Sequence, residues 1–196
     1  MEFLNRRLAM RVSRTEAAAN RERVVEVASA LYRKHGFDGV GVADIMKKAG
    51  LTHGGFYGHF GSKDDLAAEA CTCALRGSDS WISASEKGGL EAAVRNYLTP
   101  EHRDDRAKGC LFAAVGSDMV RQPRTVRHAF TEGFRTTIDK LVRMLPRRFA
   151  QARRERALAT MAGLVGALIL SRAVDDSELS DQILEASAKT FARPQV

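Results

Sequence analysis

The sequence has few of the features that mark secreted, membrane-spanning or disordered proteins. Its 196 residues include only three Cys and four Pro. Three cysteines do not make a disulfide framework, so a reducing compartment is expected. The longest uncharged and largely apolar run, residues 157–170, is too short to span a membrane and is typical of a core helix. The N-terminal segment is too rich in Arg for a secretion signal. These absences predict a globular, cytoplasmic protein without a membrane span.

Positive charge is in excess, but it is unevenly distributed. The formal net charge is +7, which suggests nucleic-acid binding. However, residues 15–65 carry seven basic and seven acidic residues, whereas residues 121–156 carry eleven basic and three acidic ones. Segment 121–156 is expected to form a solvated helix face, with attraction of an anionic effector as the alternative. The charge therefore does not locate a DNA-binding surface, and segment 15–65 must be interpreted from its motif.

Apolar residues recur with helical spacing through nearly the whole chain. Gly36 and Gly50 are predicted to end the first two helices, Gly50 with a positive φ. Ser62 and Asp65 form a capping arrangement that opens a long helix. No strand of useful length is predicted, so the expected fold class is all-α. The predicted helices span roughly 15–35, 42–49, 53–60, 63–84, 90–98, 109–121, 124–144, 153–173 and 178–192.

Residues 42–60 have the pattern of a helix-turn-helix. A short helix is followed by a sharp turn at Gly50 and by a second short helix. Leu51 and Phe56 are expected to pack back onto Ile45. Such a unit directs the N-terminal end of its second helix into the DNA major groove. The groups exposed at that end would be Thr52, His53, Gly54 and Gly55.

The run GFDGVGVADIMKKAGLTHGGFYGHFGSKDDL, residues 36–66, combines several fixed spacings at once. It resembles the N-terminal domain of the TetR/AcrR family of bacterial transcriptional regulators. Two features depart from the family pattern: Met46 replaces a small residue, and the pair Gly54-Gly55 opens the recognition helix. The resemblance implies a three-helix helix-turn-helix domain at 15–66 and a larger helical effector-binding and dimerisation domain at 67–196. Residues 1–14 would form a basic N-terminal arm.

The resemblance also implies which side chains contact DNA. Tyr57 and His59 match a segment that donates hydrogen bonds to phosphate oxygens. Lys63, at the start of the next helix, suits a phosphate by its charge and by the amides of that helix end. Glycines beside them would let the backbone approach the DNA closely. The predicted set is Thr52, His53, Gly54, Gly55, Tyr57, His59 and Lys63.

The basic arm would add contacts in an adjacent groove or to phosphates. Its arginines are Arg6, Arg7, Arg11 and Arg14. Translation from Met10 instead of Met1 would remove the first two of them.

For the C-terminal part, the resemblance implies a small-molecule effector held between helices. Large apolar side chains on different predicted helices are the candidate lining, because pockets between helices are lined in this way. Most of these residues are also suited to a plain core. The candidates are Trp81, Cys110, Phe112, Met119, Phe130, Phe134, Met161, Leu164 and Leu168; Met144 is a further possibility.

Small residues within 157–170 permit close helix approach. Together with Ile183, Leu184 and Ala188 on the last helix, they predict a four-helix dimer bundle built from two helices of each subunit. Two recognition helices about 34–36 Å apart would read successive major grooves of a palindromic operator. The small residues are Ala159, Ala162, Gly163, Gly166 and Ala167.

The cysteines suggest one further possibility. Cys71 and Cys73 point to different sides of one helix and cannot share a metal ion. Cys110 follows Lys108 at a predicted helix start, where a thiol pKa is lowered. The Gly-Cys pair also resembles family members that sense electrophiles or oxidants, whereas a buried, inert Cys is the alternative.

The sequence thus predicts a dimeric, ligand-responsive DNA-binding regulator, most often a repressor that a small-molecule effector releases from its operator. Two alternatives remain: a thiol-based sensor acting through Cys110, and a helical interaction protein without DNA binding. Because the motifs of hydrolases and nucleotide-binding enzymes are missing, an enzyme is not predicted, and neither is a cofactor or a metal ion.

Overall fold

The computed structural model describes residues 14–78, 88–145 and 150–193. These ranges contain α-helices and two short 3₁₀ helices, and no strand lies within them. The α-helices are α1 (Arg14–His35), α2 (Val42–Lys48), α3 (Lys63–Ser78), α4 (Gly89–Tyr97), α5 (Pro100–Asp104), α6 (Leu111–Val115), α7 (Arg124–Met144), α8 (Ala150–Ala173) and α9 (Ser177–Ala192). The 3₁₀ helices are His53–Gly58 and Met119–Arg121. The all-α prediction is confirmed.

The turn between α2 and the first 3₁₀ helix has the predicted geometry. Gly50 has a φ of 73°. The amide of Leu51 donates to the carbonyl of Met46 at 2.9 Å, and that of Gly50 donates to Lys47 at 3.1 Å. Both bonds satisfy carbonyls at the end of α2, and glycine adopts the left-handed conformation without a steric penalty.

The predicted α-helix at 53–60 is instead a 3₁₀ helix that ends at Gly58. Gly54 and Gly55 disfavour a regular α-helix, because glycine loses the most backbone entropy on ordering. The two departures from the family pattern, Met46 and the glycine pair, are in contact with each other. The Cε of Met46 lies 3.8 Å from the position that a Cβ on Gly55 would occupy, so the long Met side chain packs beneath this glycine.

The first hydrophobic core joins α1, α2, the first 3₁₀ helix and α3, and it also includes buried residues of α6, the second 3₁₀ helix and the start of α7. Ile45, Met46 and Phe56 are its central, almost completely buried side chains. The amide of Asp65 donates to the hydroxyl of Ser62 at 3.0 Å, which confirms the predicted cap at the start of α3.

The second core lies between α4, α6, α7, α8 and α9. Its connection to the first core runs along α3, which packs extensively against α7. Side chains of Leu75 and Phe130 contact both cores. The helix-turn-helix part is therefore joined to the C-terminal part by packed helices as well as by the continuous chain.

The region 99–121 differs from the prediction. The expected single helix at 109–121 is split into α6 and the 3₁₀ helix Met119–Arg121. In addition, the short helix α5, which was not among the predicted helices, begins at Pro100. The hydroxyl oxygen of Thr99 caps this helix by accepting a hydrogen bond from the amide of His102 at 3.2 Å. Proline is well accommodated in the first turn of a helix, because the N–H that it lacks would have no partner within the helix there.

Helix α8 contains a long apolar segment. By length and composition, residues Gln151–Ala173 could cross a membrane, a test that core helices of globular proteins also pass. Here Met161, Leu164 and Leu168 are fully buried in the second core. This agrees with the interpretation of 157–170 as a core helix.

Candidate functional site

The surface formed by residues 52–63 exposes the polar groups predicted to contact DNA. Thr52, His53 and Gly54 are exposed, and Tyr57 is 73% exposed. Beneath them Phe56 is buried, as predicted, and so is Phe60; the centroids of their stacked rings are 5.5 Å apart. The aromatic pair anchors the turn from below. The hydroxyl of Tyr57 is thus presented on a supported surface.

His59 and Lys63 are half-buried at the edge of the same surface. The ammonium of Lys63 donates to the carbonyl of Phe37 at 3.0 Å. This bond ties the start of α3 to the end of α1. Since an ammonium has three protons, two remain for another acceptor.

Arg21 is a structural residue that the sequence reasoning missed. Its guanidinium forms a two-pronged ion pair with the carboxylate of Glu69, one bond being 2.6 Å from Nη1 to Oε2. The hydrogen bond to Glu69 raises the pKa of Arg21. Its Nε donates to the carbonyl of His59 at 3.3 Å, and its Cζ lies 4.7 Å from the centroid of the Phe60 ring. Arg21 thereby fixes the turn that carries His59 between α1 and α3.

No local signal in the sequence would have identified Arg21. Its partners are 38 and 48 residues away along the chain, and on a helix an Arg normally indicates only a solvated position. The predicted arm arginines Arg6, Arg7 and Arg11 lie outside the described residues, whereas Arg14 is exposed at the start of α1.

A second missed residue, Arg33, joins the two parts of the protein. It lies near the end of α1 and is only 9% exposed. Its Nη1 donates to the carbonyl of Gly109 at 3.2 Å, and its Nε donates to the carbonyl of Ser29 in its own helix. A buried guanidinium thus connects the helix-turn-helix part to the segment that precedes α6.

Most of the predicted pocket residues are brought together in the second core. The Phe112 ring stands edge-on to Phe130 at 5.1 Å and to Phe134 at 5.2 Å. Phe130 and Phe134 are only partly buried, so this aromatic group has an accessible side. Cys110, Met161, Leu164 and Leu168 belong to the same cluster, which Met144 contacts from its edge.

One candidate is placed differently, and another cannot be located. Met119 packs in the first core with the helix-turn-helix part, because the 3₁₀ helix that carries it turns toward α1. Trp81 lies outside the described residues.

The expectation of a lowered pKa at Cys110 is wrong. The thiol is 3% exposed, and its burial raises the pKa. The desolvation of a thiolate outweighs what the five-residue helix α6 and nearby Arg172 contribute in the opposite direction. Burial also raises the pKa of Cys71 to about 12. These environments disfavour a thiolate sensor.

An open, polar cavity of about 390 Å³ lies where α5 meets the junction of α8 and α9. Its walls carry both signs of charge, including Arg103, Arg106, Arg172 and Asp175. The guanidinium of Arg172 donates to the carbonyls of Arg103 and His102 at 2.9 and 3.0 Å. Sequence reasoning did not identify this corner because its residues are 70 positions apart.

Helices α8 and α9 present an apolar surface that is exposed in the single subunit. Leu158, Ile169 and Leu179 are each about two-fifths exposed, and the space beside Gly166 is open. Gly163, in contrast, serves packing within the subunit, since its Cβ position lies 2.0 Å from the ring of Phe191. Leu184 and Ala167 are also buried within the subunit. The exposed apolar surface therefore includes only part of the predicted small-residue set.

Comparison with known proteins bears on this arrangement. Residues 24–70 match the family model of bacterial regulatory proteins of the tetR family. The HTH-type transcriptional regulator AcrR of Shigella flexneri is 36% identical over 59 residues, which are 30% of this chain and 27% of AcrR. The HTH-type transcriptional repressor AcnR of Corynebacterium diphtheriae is 26% identical over 138 residues, which are 69% of this chain and 68% of AcnR. The chain thus spans about a quarter of the first relative and two thirds of the second.

Solved structures share the fold over nearly the whole chain. A TetR-family transcriptional regulator from Agrobacterium tumefaciens has a TM-score of 0.73 at 23% identity and covers 89% of this chain and 98% of its own. The reduced form of E. coli NemR has a TM-score of 0.69 at 18% identity, with 88% and 95% covered. At these identities the likeness concerns the fold alone, whereas the N-terminal match extends to sequence.

Proposed function

Since this chain belongs to the TetR family of bacterial regulatory proteins, we propose that it is a cytoplasmic, dimeric repressor that a small-molecule effector releases from a palindromic operator. The observation that best supports this function is the exposed surface at residues 52–63. Polar side chains are presented there on a turn that is packed from below and fixed laterally by Arg21.

The DNA-binding surface relies on placed donors more than on charge. The hydroxyl of Tyr57 and the two available protons of Lys63 suit phosphate oxygens, and His59 adds a ring nitrogen between them. Thr52 and His53 stand at the leading end, where base edges become accessible. The surrounding segment has no net charge, so these few donors must provide register and affinity.

Dimerisation through α8 and α9 is supported by their exposed apolar side chains. Leu158, Val165 and Ile169 recur at helical spacing on α8, and Leu179 lies on the adjacent α9. A second copy of this chain is the occupant that a DNA-binding regulator requires, because a twofold dimer presents two recognition elements to a palindromic site. The open space beside Gly166 lets the facing helix approach closely.

The effector is expected near the aromatic group of Phe112, Phe130 and Phe134. Edge-on rings with one accessible side offer contact area to an apolar or aromatic molecule. Such a ligand would lie between α6 and α7, and α7 packs against α3. If the ligand binds one arrangement of these helices more tightly than another, the difference between the two affinities determines how strongly it changes DNA binding.

Fluorescence anisotropy with a labelled duplex from the region flanking this gene tests the proposal. We expect salt-sensitive, sequence-preferring binding. Tyr57→Phe combined with Lys63→Ala should weaken it about tenfold or more and reduce the salt slope by about one. Arg95→Ala, which removes an exposed charge on α4, is the matched control and should leave both quantities unchanged.

Unchanged affinity and salt slope in the double variant would refute the assignment of these residues. Tyr57→Phe alone serves as a second probe, because removing an exposed hydroxyl leaves the core intact. A folded dimer without affinity for any duplex from that region would instead favour the helical interaction protein.

A further inference from the structure

One peptide group is held from opposite sides by the two parts of the protein. The carbonyl of Gly109 accepts a hydrogen bond from Nη1 of Arg33 in α1 at 3.2 Å. The amide of Cys110, which belongs to the same peptide group, donates to Nε2 of His102 in α5 at 3.0 Å. Because a peptide group is rigid and planar, rotation that weakens one of these bonds also disturbs the other.

The space around this peptide group accommodates only glycine at position 109. A Cβ there would lie 2.9 Å from the carbonyl oxygen of Asp105, 3.0 Å from Nη2 of Arg172 and 3.4 Å from Cδ2 of His102. Gly109 itself is buried, and its amide donates to the Asp105 carbonyl at 2.8 Å. The peptide group is therefore closely enclosed.

The hydrogen bonds of His102 require one particular protonation state. Its Nδ1 lies 2.6 Å from the carbonyl oxygen of Tyr97, which can only accept, so Nδ1 must carry a proton. Its Nε2 faces the amide of Cys110, which can only donate, so Nε2 must be unprotonated. The observed arrangement is thus compatible only with a neutral imidazole.

The charged and titratable groups around His102 come from several elements. Arg172 of α8 and Asp105 after α5 act in opposite directions on the imidazole, and the Tyr97 ring stands edge-on to it at 4.6 Å. The Cys110 thiol, whose own backbone amide contacts the imidazole, stays protonated because its burial raises its pKa. Burial lowers the pKa of His102 from its ordinary value of 6.5, and nearby Arg172 adds to this effect.

We propose that His102 is a proton-sensitive latch between the ligand domain and the DNA-binding domain. Neutral His102 holds the peptide group in the orientation that Arg33 needs. A proton added to Nε2 removes the acceptor and places two N–H groups against each other. The peptide group then rotates, the Arg33 bond is lost, and with it the polar link between α1 and the segment that precedes α6. The effect on DNA rests on the proposed function, whereas the latch itself does not.

The direction in which pH changes the stabilisation follows from the protonation state of His102 that the latch requires. Because the folded protein binds this proton less readily than the unfolded chain, the stabilisation from the latch is present above about pH 6.5 and is lost as the pH falls below it. DNA affinity should fall in the same direction.

NMR on the full-length protein tests the latch without DNA. In a titration from about pH 7.5 downward, we expect the His102 imidazole, the Cys110 amide and the Arg33 side-chain NH signals to shift with one common midpoint below about pH 6.5, since burial lowers the pKa of His102. In His102→Gln, whose amide oxygen can still accept from Cys110, the other two signals should stop titrating. A Cys110 signal that titrates with His102 while that of Arg33 stays constant would overturn the proposal.

DNA binding by the same proteins measures the consequence. The quantity compared is the ratio of the wild-type affinity to the His102→Gln affinity for the flanking duplex. This ratio should fall by about threefold or more between about pH 7.5 and about pH 5.5. Introducing Arg33→Met into both proteins should abolish this difference. Parallel pH profiles of the wild type and His102→Gln would contradict the latch. Failure to bind DNA at every pH, with the NMR signals still titrating together, would refute the proposed function and leave the latch supported.

Discussion

Gly133 and Leu75 form a close contact between α7 and α3. A Cβ on Gly133 would lie 2.0 Å from Cδ1 of Leu75 and 2.9 Å from its Cγ. Helix α3 starts in the helix-turn-helix part and continues along α7, so this contact limits how closely the two helices approach. The substitution Gly133→Ala therefore tests the helix packing through which the two parts of the protein are joined.

The cost of Gly133→Ala is the difference between two effects. Non-bonded carbon atoms prefer separations of about 3.5–4.0 Å, so the Leu75 side chain or the helix must move by roughly 1.5–2 Å. Overpacking of this kind costs about 1–3 kcal/mol. Replacing a mid-helix Gly by Ala returns about 1 kcal/mol of helix propensity. We expect a net loss of about 1 kcal/mol in the free energy of unfolding.

The sign of the effect should reverse when Leu75 is shortened. In a Leu75→Ala background the obstructing methyl groups are gone, and Gly133→Ala should stabilise the protein by about 0.5–1 kcal/mol. Urea unfolding of the wild type, both single variants and the double variant measures this as a coupling of about 2 kcal/mol. Additive effects within about 0.5 kcal/mol would refute the packing argument.

Two further predictions concern surfaces and thiols. Ile169→Asp should shift the protein from dimer to monomer in analytical ultracentrifugation. Val120→Asp, which places the same charge at a separate exposed apolar site, should not. A dimer that survives Ile169→Asp would exclude the α8 and α9 surface as the dimer interface. In the folded protein at neutral pH, a thiol reagent should modify Cys73 well before Cys71 and Cys110, because burial raises the pKa of both slower thiols. Rapid modification of Cys110, measured by mass spectrometry of digested peptides, would contradict its burial.

Local sequence patterns determined most of the helices and the turn of the helix-turn-helix. Hydrophobic spacing placed α7 at 124–144, where the structure has it, and the positive φ of Gly50 was expected from a sharp turn after α2. The burial of Phe56 also follows from residue type and spacing, whereas the role of Tyr57 was implied by the family resemblance. These features depend on neighbours within a few residues, which the sequence displays directly.

Tertiary structure decided the features that depend on residues far apart in the chain. Arg33 contacts the carbonyl of Gly109 across 76 positions, and Arg21 contacts Glu69 across 48. The pKa of Cys110 was misjudged because the helix start and nearby charge were apparent from sequence, whereas the desolvation that outweighs them exists only in the packed core. Local propensity and periodicity thus determined which elements form, and packing alone determined which polar groups are buried and which part of the molecule each one joins.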